Sequence, residues 1–222
     1  MIINVNGVPL YYKKSGQGDP IILLHGNSQD HTIFADLIEK LSADYTVYAI
    51  DSRDHGKSGK VQHLSYMDKM EDVLAFITVL EIKKPALFGF SDGGIVGLLL
   101  AINHPDVLSK LMIGGANTHP SGAKSFLLAL GKILYFFTRN NKVKLMLTQP
   151  DISDAELNRI ITPTLVVAGQ KDAIKEAHTA SIAKNIPESK LLILKGENHG
   201  SYISDSSKIY DIIISFLEAK AD

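Results

Sequence analysis

A serine lies between two glycines in Gly89-Phe90-Ser91-Asp92-Gly93. The apolar run Ala86–Phe90 leads into it and the almost wholly apolar Ile95–Ile102 follows. A serine on a tight strand-to-helix turn projects its hydroxyl above the sheet on a strained backbone. The new helix points its positive end at that place, which favours an oxyanion. Serine is a feeble nucleophile alone, so a base and a group to orient the base must come from elsewhere. Asp172, in Gly169-Gln170-Lys171-Asp172, and His199, in Gly196-Glu197-Asn198-His199-Gly200, supply those residue types in the order Ser, Asp, His. His25-Gly26-Asn27 follows another apolar run, Ile21–Leu24, where a loop can present a backbone N–H opposite the serine.

Other candidates fit less well. His25 reads as a loop-shaping residue, and His55 and His104 sit beside Gly56 and Pro105. His119 and Asn117 could contact a substrate, although a loop role for His119 is the simpler one. Glu197 is too near His199 in the chain to orient it, and Asp205 reads as a cap of the last helix. Asp92 occupies the first helical turn, where the dipole favours a carboxylate.

These residues require a particular scaffold. Ile3 and Val5 alternate, as do Val8, Leu10 and Tyr12, with Asn6-Gly7 between them, the pattern of an antiparallel hairpin. Continuous apolar runs at 21–24, 47–50, 86–90, 111–113, 165–168 and 191–194 are expected to be strands covered on both faces. Helical spacing separates them: Met67, Met70, Val73, Leu74, Ile77 and Leu80 share one face, Ile182, Ala183 and Ile186 another, and Tyr210, Ile213, Ile214 and Leu217 a last one. Strands alternating with helices predict an α/β fold, a mostly parallel sheet with helices on both faces and an antiparallel hairpin at one edge. The serine, aspartate, histidine and Asn27 loops then all fall at carboxyl ends of strands, where open α/β sheets place their sites.

One stretch breaks the rhythm. Almost fifty residues separate Gly115 from the strand starting at Thr164, too many for a plain crossover. The expectation is a single domain over 1–222 with residues 116–162 as a small helical lid. The apolar run Phe126–Phe137 is expected to pack over the site as an acyl-pocket wall rather than to face lipid.

The matching pieces His25-Gly26, Asp51-Ser52-Arg53-Asp54-His55-Gly56-Lys57-Ser58, Gly89–Gly94, Asp172 and His199 resemble the α/β-hydrolase family over essentially the whole chain. The motifs are most similar to the biphenyl-hydrolase-like, valacyclovir-hydrolase-type esterases. Two departures are Asp54, where the family usually has Gly, and a shorter lid. The resemblance implies Ser91 as nucleophile, His199 as base, Asp172 as its orienting partner, and the backbone N–H groups of Asn27 and Asp92 as oxyanion hole. In the valacyclovir-hydrolase group the residue matching Asp92 is associated with a substrate's α-amino group.

Composition narrows the rest. With 23 Lys plus Arg against 24 Asp plus Glu, the net charge is −1, which argues against nucleic acid as a partner. Zero Cys excludes disulfides, thiolate metal sites and a thiol nucleophile. Gly56-Lys57-Ser58 ends like a phosphate loop, but Asp51 stands where that loop needs Gly, and no His-Glu-x-x-His occurs. No cofactor and no metal are expected. No signal peptide or membrane span is visible, so the expected location is cytoplasmic. The sequence thus predicts a serine hydrolase of small carboxylic esters acting through an acyl-enzyme. Amino-acid-ester, lactone or carbon–carbon bond hydrolysis, perhydrolysis, or a slow-turnover ligand receptor on the same fold remain open.

Overall fold

The computed structural model describes residues 1–204 and 206–219. The strands are β1 (Ile2–Val5), β2 (Val8–Ser15), β3 (Asp19–Leu24), β4 (Tyr45–Ile50), β5 (Ala86–Phe90), β6 (Lys110–Gly114), β7 (Thr164–Lys171) and β8 (Ser189–Asn198). The helices are α1 (Ala35–Leu41), α2 (Tyr66–Val79), α3 (Asp92–Asn103), α4 (Ser125–Thr138), α5 (Asn141–Thr148), α6 (Asp154–Leu157), α7 (Glu176–Asn185), α8 (Ser201–Ser204) and α9 (Ser206–Glu218). Among the described residues the strands form one sheet in the order β1-β2-β4-β3-β5-β6-β7-β8. The first three pair antiparallel and the rest parallel, as the alternating hairpin and the continuous apolar runs predict. Asn6 and Gly7 turn the hairpin at φ 49° and 75°.

The pleat divides the core in two. Ile22 and Leu24 face the layer that includes α2, α3 and α7, whereas Ile21 and Leu23 face α1, α8 and α9. The chain runs from β3 to β4 on one side and then returns to β5 on the other. Loops after β3 and β5 therefore leave in opposite directions and open a crevice at their carboxyl ends. His25-Gly26-Asn27 and Ser91 are the residues placed there.

Some local details differ from the sequence reading. In α2 the buried residues are Tyr66, Lys69, Met70, Asp72, Val73, Phe76 and Ile77, whereas Met67 faces solvent. β8 is an edge strand and leaves Leu191 largely exposed. Helix α1 carries no long apolar period and goes unmarked in the sequence. Asp205 lies outside the described residues.

The excursion between β6 and β7 is tied down at its base. Lys124 N–H donates to the Ala173 carbonyl, Lys175 N–H to that of Gly122 and Ile152 N–H to that of Thr118. His178 of α7 accepts the Thr118 N–H at 3.1 Å through Nε2. Further out the packing thins. Gly131 of α4 lies against Leu147 of α5, but no residue of α4 is buried. The expected packed wall is therefore corrected: Phe126, Leu130, Ile133, Leu134, Phe136 and Phe137 all face outward. The stripe's spacing predicts the helix but does not say what it faces.

Candidate functional site

Ser91 takes φ 52° and ψ −112°, a conformation that side chains rarely adopt. The turn is held from both sides. Ser91 N–H donates to the Gly114 carbonyl at 2.7 Å, and the Ser91 carbonyl accepts from Gly94 and Ile95 at 2.9 and 3.1 Å. A Cβ on Gly89 would collide with the Gly93 carbonyl, so the elbow needs glycine there.

Ser91 Oγ lies 3.2 Å from His199 Nε2, and His199 Nδ1 lies 2.7 Å from Asp172 Oδ1. The imidazole rests against Phe90, with ring centroids 4.9 Å apart, and over Gly115. Gly115 has φ 60°, and a side chain there would strike the imidazole. Asp172 is buried, and its carboxylate also accepts N–H groups of Ile174 at 3.0 Å and Gly169 at 3.2 Å. Burial pushes the Asp172 carboxyl up, but the bonds from His199, Ile174 and Gly169 and the attraction of His199 outweigh it and hold it below the usual carboxylate range. An ionised carboxylate on Nδ1 favours the tautomer whose Nε2 is free to accept the serine proton.

The loop after β3 closes on the elbow. A Cβ on Gly26 would touch the Ser91 Cβ, and the Asn27 side-chain amide donates to Asp92 Oδ2 at 3.1 Å. The same amide donates to the Lys142 carbonyl of α5 at 3.2 Å, which ties the loop to the β6–β7 excursion. His25 shapes this loop, donating from Nδ1 to the Gly26 carbonyl and accepting the Ser52 N–H on Nε2. Burial pushes the His25 imidazole down, in keeping with an Nε2 that accepts a hydrogen bond.

Asp92 is where the structure adds most. Its carboxylate is buried and receives the Tyr66 hydroxyl at 2.7 Å, the Lys69 ammonium at 2.9 Å and the Asn27 amide. Burial pushes this carboxyl up, yet Lys69 and Tyr66 together hold it below the usual range. Tyr66 and Lys69, which the structure places against Asp92, are not singled out in the sequence reading. Their signal in the sequence is a lysine three residues after a tyrosine on a largely apolar helix face, since a charge is buried only when paired.

The remaining candidates are engaged locally. The Asn117 amide donates to the His119 carbonyl, while exposed His119 accepts the Ser121 N–H and caps a 3-10 turn over Pro120–Gly122. Glu197 accepts bonds from Ser201 and Lys208. Asp54 takes φ 62°, the left-handed backbone for which glycine is the usual choice. Arg53 forks onto Asp72 of α2 at 2.6 and 2.7 Å and anchors the same loop. His55 donates from Nδ1 to the Arg53 carbonyl and buries Nε2 without a partner, and burial with Lys69 nearby pushes it down to about 4. Asp30, His31 and Asp51 bring three potential ligand atoms together, but Asp51 spends its oxygens on the His31 ring and backbone and on Lys57 N–H.

A family model described as alpha/beta hydrolase fold matches residues 19–144. Serine hydrolase BPHL of Homo sapiens is 27% identical over 97% of this chain and 85% of its own length. A pimeloyl-[acyl-carrier protein] methyl ester esterase of Aliivibrio fischeri is 28% identical over 63% of this chain and 53% of its own. Among solved structures, MGS-M2, described as an alpha/beta hydrolase enzyme from a deep-sea metagenome library, superimposes with a TM-score of 0.87 at 16% identity. It covers 100% of this chain and 99% of its own.

Proposed function

The chain belongs to the alpha/beta hydrolase fold family, and on that premise we propose that it is a serine esterase that cleaves small carboxylic esters through an acyl-enzyme. The observation that carries this reading is the unbroken relay from Ser91 Oγ to His199 Nε2 at 3.2 Å and from His199 Nδ1 to Asp172 at 2.7 Å. As Ser91 Oγ attacks the ester carbonyl carbon, its proton passes to His199 Nε2 and the carbonyl oxygen becomes an oxyanion. The backbone N–H groups of Asn27 and Asp92 receive that charge, each donor contributing about 3 kcal/mol to the transition state. Asp172 stays ionised and stabilises the imidazolium. His199 then returns the proton to the leaving alcohol, and the C–O bond of the ester breaks. Water, deprotonated by the same imidazole, hydrolyses the acyl-serine and restores the enzyme.

Residues 116–162 serve in this reading as a helical cover of a single domain, held to the oxyanion loop through Asn27 and the Lys142 carbonyl. The pairing of Asp92 bears on the substrate. Lys69 already fills the place beside that carboxylate that a substrate ammonium would need, which favours plain acyl esters over amino-acid esters.

A fluorophosphonate probe read by intact mass and peptide mapping tests the proposal. One adduct, on Ser91 and absent from Ser91→Ala, is the expected result, together with turnover of short-chain p-nitrophenyl esters. Labelling elsewhere, or esterase activity that survives Ser91→Ala, overturns it. A labelled serine with negligible turnover would favour a ligand receptor instead.

A further inference from the structure

Helix α4 presents its large apolar side chains outward. Phe126, Leu130, Ile133 and Phe137 are spaced i, i+4, i+7 and i+11, so they form one stripe along the whole helix, and Leu134 and Phe136 flank it. Phe126 is 67% exposed and Phe137 76%, values ordinarily met at an interface rather than on a surface facing water. The opposite face, with Leu127, Leu128, Gly131 and Tyr135 partly covered, lies toward the body of the protein.

The chain segment that carries this stripe has charges of one sign. Residues 116–150 contain Lys124, Lys132, Arg139, Lys142 and Lys144 and neither Asp nor Glu. The chain as a whole is −1, so removing the +5 of this segment leaves −6 for the remainder. Lys142 leans on Asp54, but Lys124 precedes the helix, Lys132 flanks the stripe and Arg139 ends the helix, stacked over Tyr135 and Phe136.

We infer that α4 docks the protein on the surface of an anionic lipid bilayer. A helix with one apolar face and cationic flanks lies in the plane of such a surface, its aromatic and aliphatic groups in the acyl boundary and its cations among the phosphates. A second copy of the chain fits worse. A two-fold contact through this stripe would bring two +5 segments face to face. The helix lies flat on the bilayer and does not cross it, since no helix among the described residues is long and apolar enough to do so.

The test is flotation with unilamellar vesicles of equal parts phosphatidylglycerol and phosphatidylcholine, against vesicles of phosphatidylcholine alone. The chain has no Trp, so Leu130→Trp adds a single reporter of insertion. Expected are flotation with the anionic vesicles that weakens as salt rises, and a blue shift of the Trp emission. Affinity should fall about tenfold or more in Phe126→Ser/Phe137→Ser and in Lys124→Gln/Lys132→Gln/Arg139→Gln. Phe126, Lys132, Phe137 and Arg139 are exposed and Lys124 is half-exposed at the start of the helix, and unchanged thermal melts verify that both variants fold. Ser91→Ala should bind vesicles like the parent, which separates this proposal from the catalytic one. Absence of flotation, undiminished flotation in the double serine variant, or an unshifted Trp emission overturns it. So does a dimer by sedimentation that the double serine variant dissociates, which would make the partner a second copy.

Discussion

Replacing Lys69 by Met keeps most of the aliphatic stem and deletes the charge. The parent ammonium lies 2.9 Å from Asp92 Oδ2, and both side chains are almost fully buried. At an effective dielectric of about 20 that separation corresponds to an attraction of about 6 kcal/mol. Much of it offsets the cost of taking both ions out of water, so the pair as a whole contributes little net stability. Removing one partner is another matter, because the desolvated carboxylate remains, with only the neutral Tyr66 and Asn27 donors. Truncations of this kind cost about 3–5 kcal/mol. For a chain of this size that lowers Tm by roughly 6–20 °C. The assay is urea and thermal unfolding by circular dichroism of the parent, Lys69→Met, Asp92→Asn and the double variant. Asp92→Asn in the Lys69→Met background removes the stranded charge while keeping an acceptor for Tyr66, so at least half of the loss should return. A Lys69→Met variant within about 1 kcal/mol of the parent would refute the reasoning, since measured costs for buried pairs start well above that. A double variant no more stable than Lys69→Met alone would refute it equally.

Asp172→Asn should lower kcat for a short-chain ester about 10⁴-fold with an unchanged fold, because an amide in place of the carboxylate favours the wrong imidazole tautomer. Steady-state kinetics beside a thermal melt measures this, and a loss below about tenfold would remove Asp172 from the proposed relay. His55 makes stability depend on pH in a stated direction. The unfolded chain takes up a proton near 6.5 that the folded chain refuses until about 4, so its contribution is whole above pH 6.5 and is lost as pH falls toward 4. The amount is about 3 kcal/mol. In His55→Gln the urea midpoint should fall less steeply over that window, though not stay flat, because His25 is held down by burial as well. An unchanged slope would exclude His55 as a source.

The sheet, its hairpin edge and the loops that carry Ser91, Asp172, His199 and Asn27 are legible in the amino-acid order alone. Those features are local: a strand that is apolar throughout, a helix with a 3.6-residue period and a Gly-flanked turn each leave a mark within about a dozen residues. The placement of all four loops at one end of the sheet then follows from the parallel topology. What surrounds them depends on how distant elements pack. Lys69 and Tyr66 reach Asp92 from 23 and 26 residues away, and nothing in the spacing says that α2 lays that face on α3. The Asn27 amide spans 115 residues to the Lys142 carbonyl, a contact set by where the β6–β7 excursion folds back. Helix α4 states the limit most simply. Its apolar period specifies a helix with one greasy face, and that period is the same whether the face meets the protein core or points away from it.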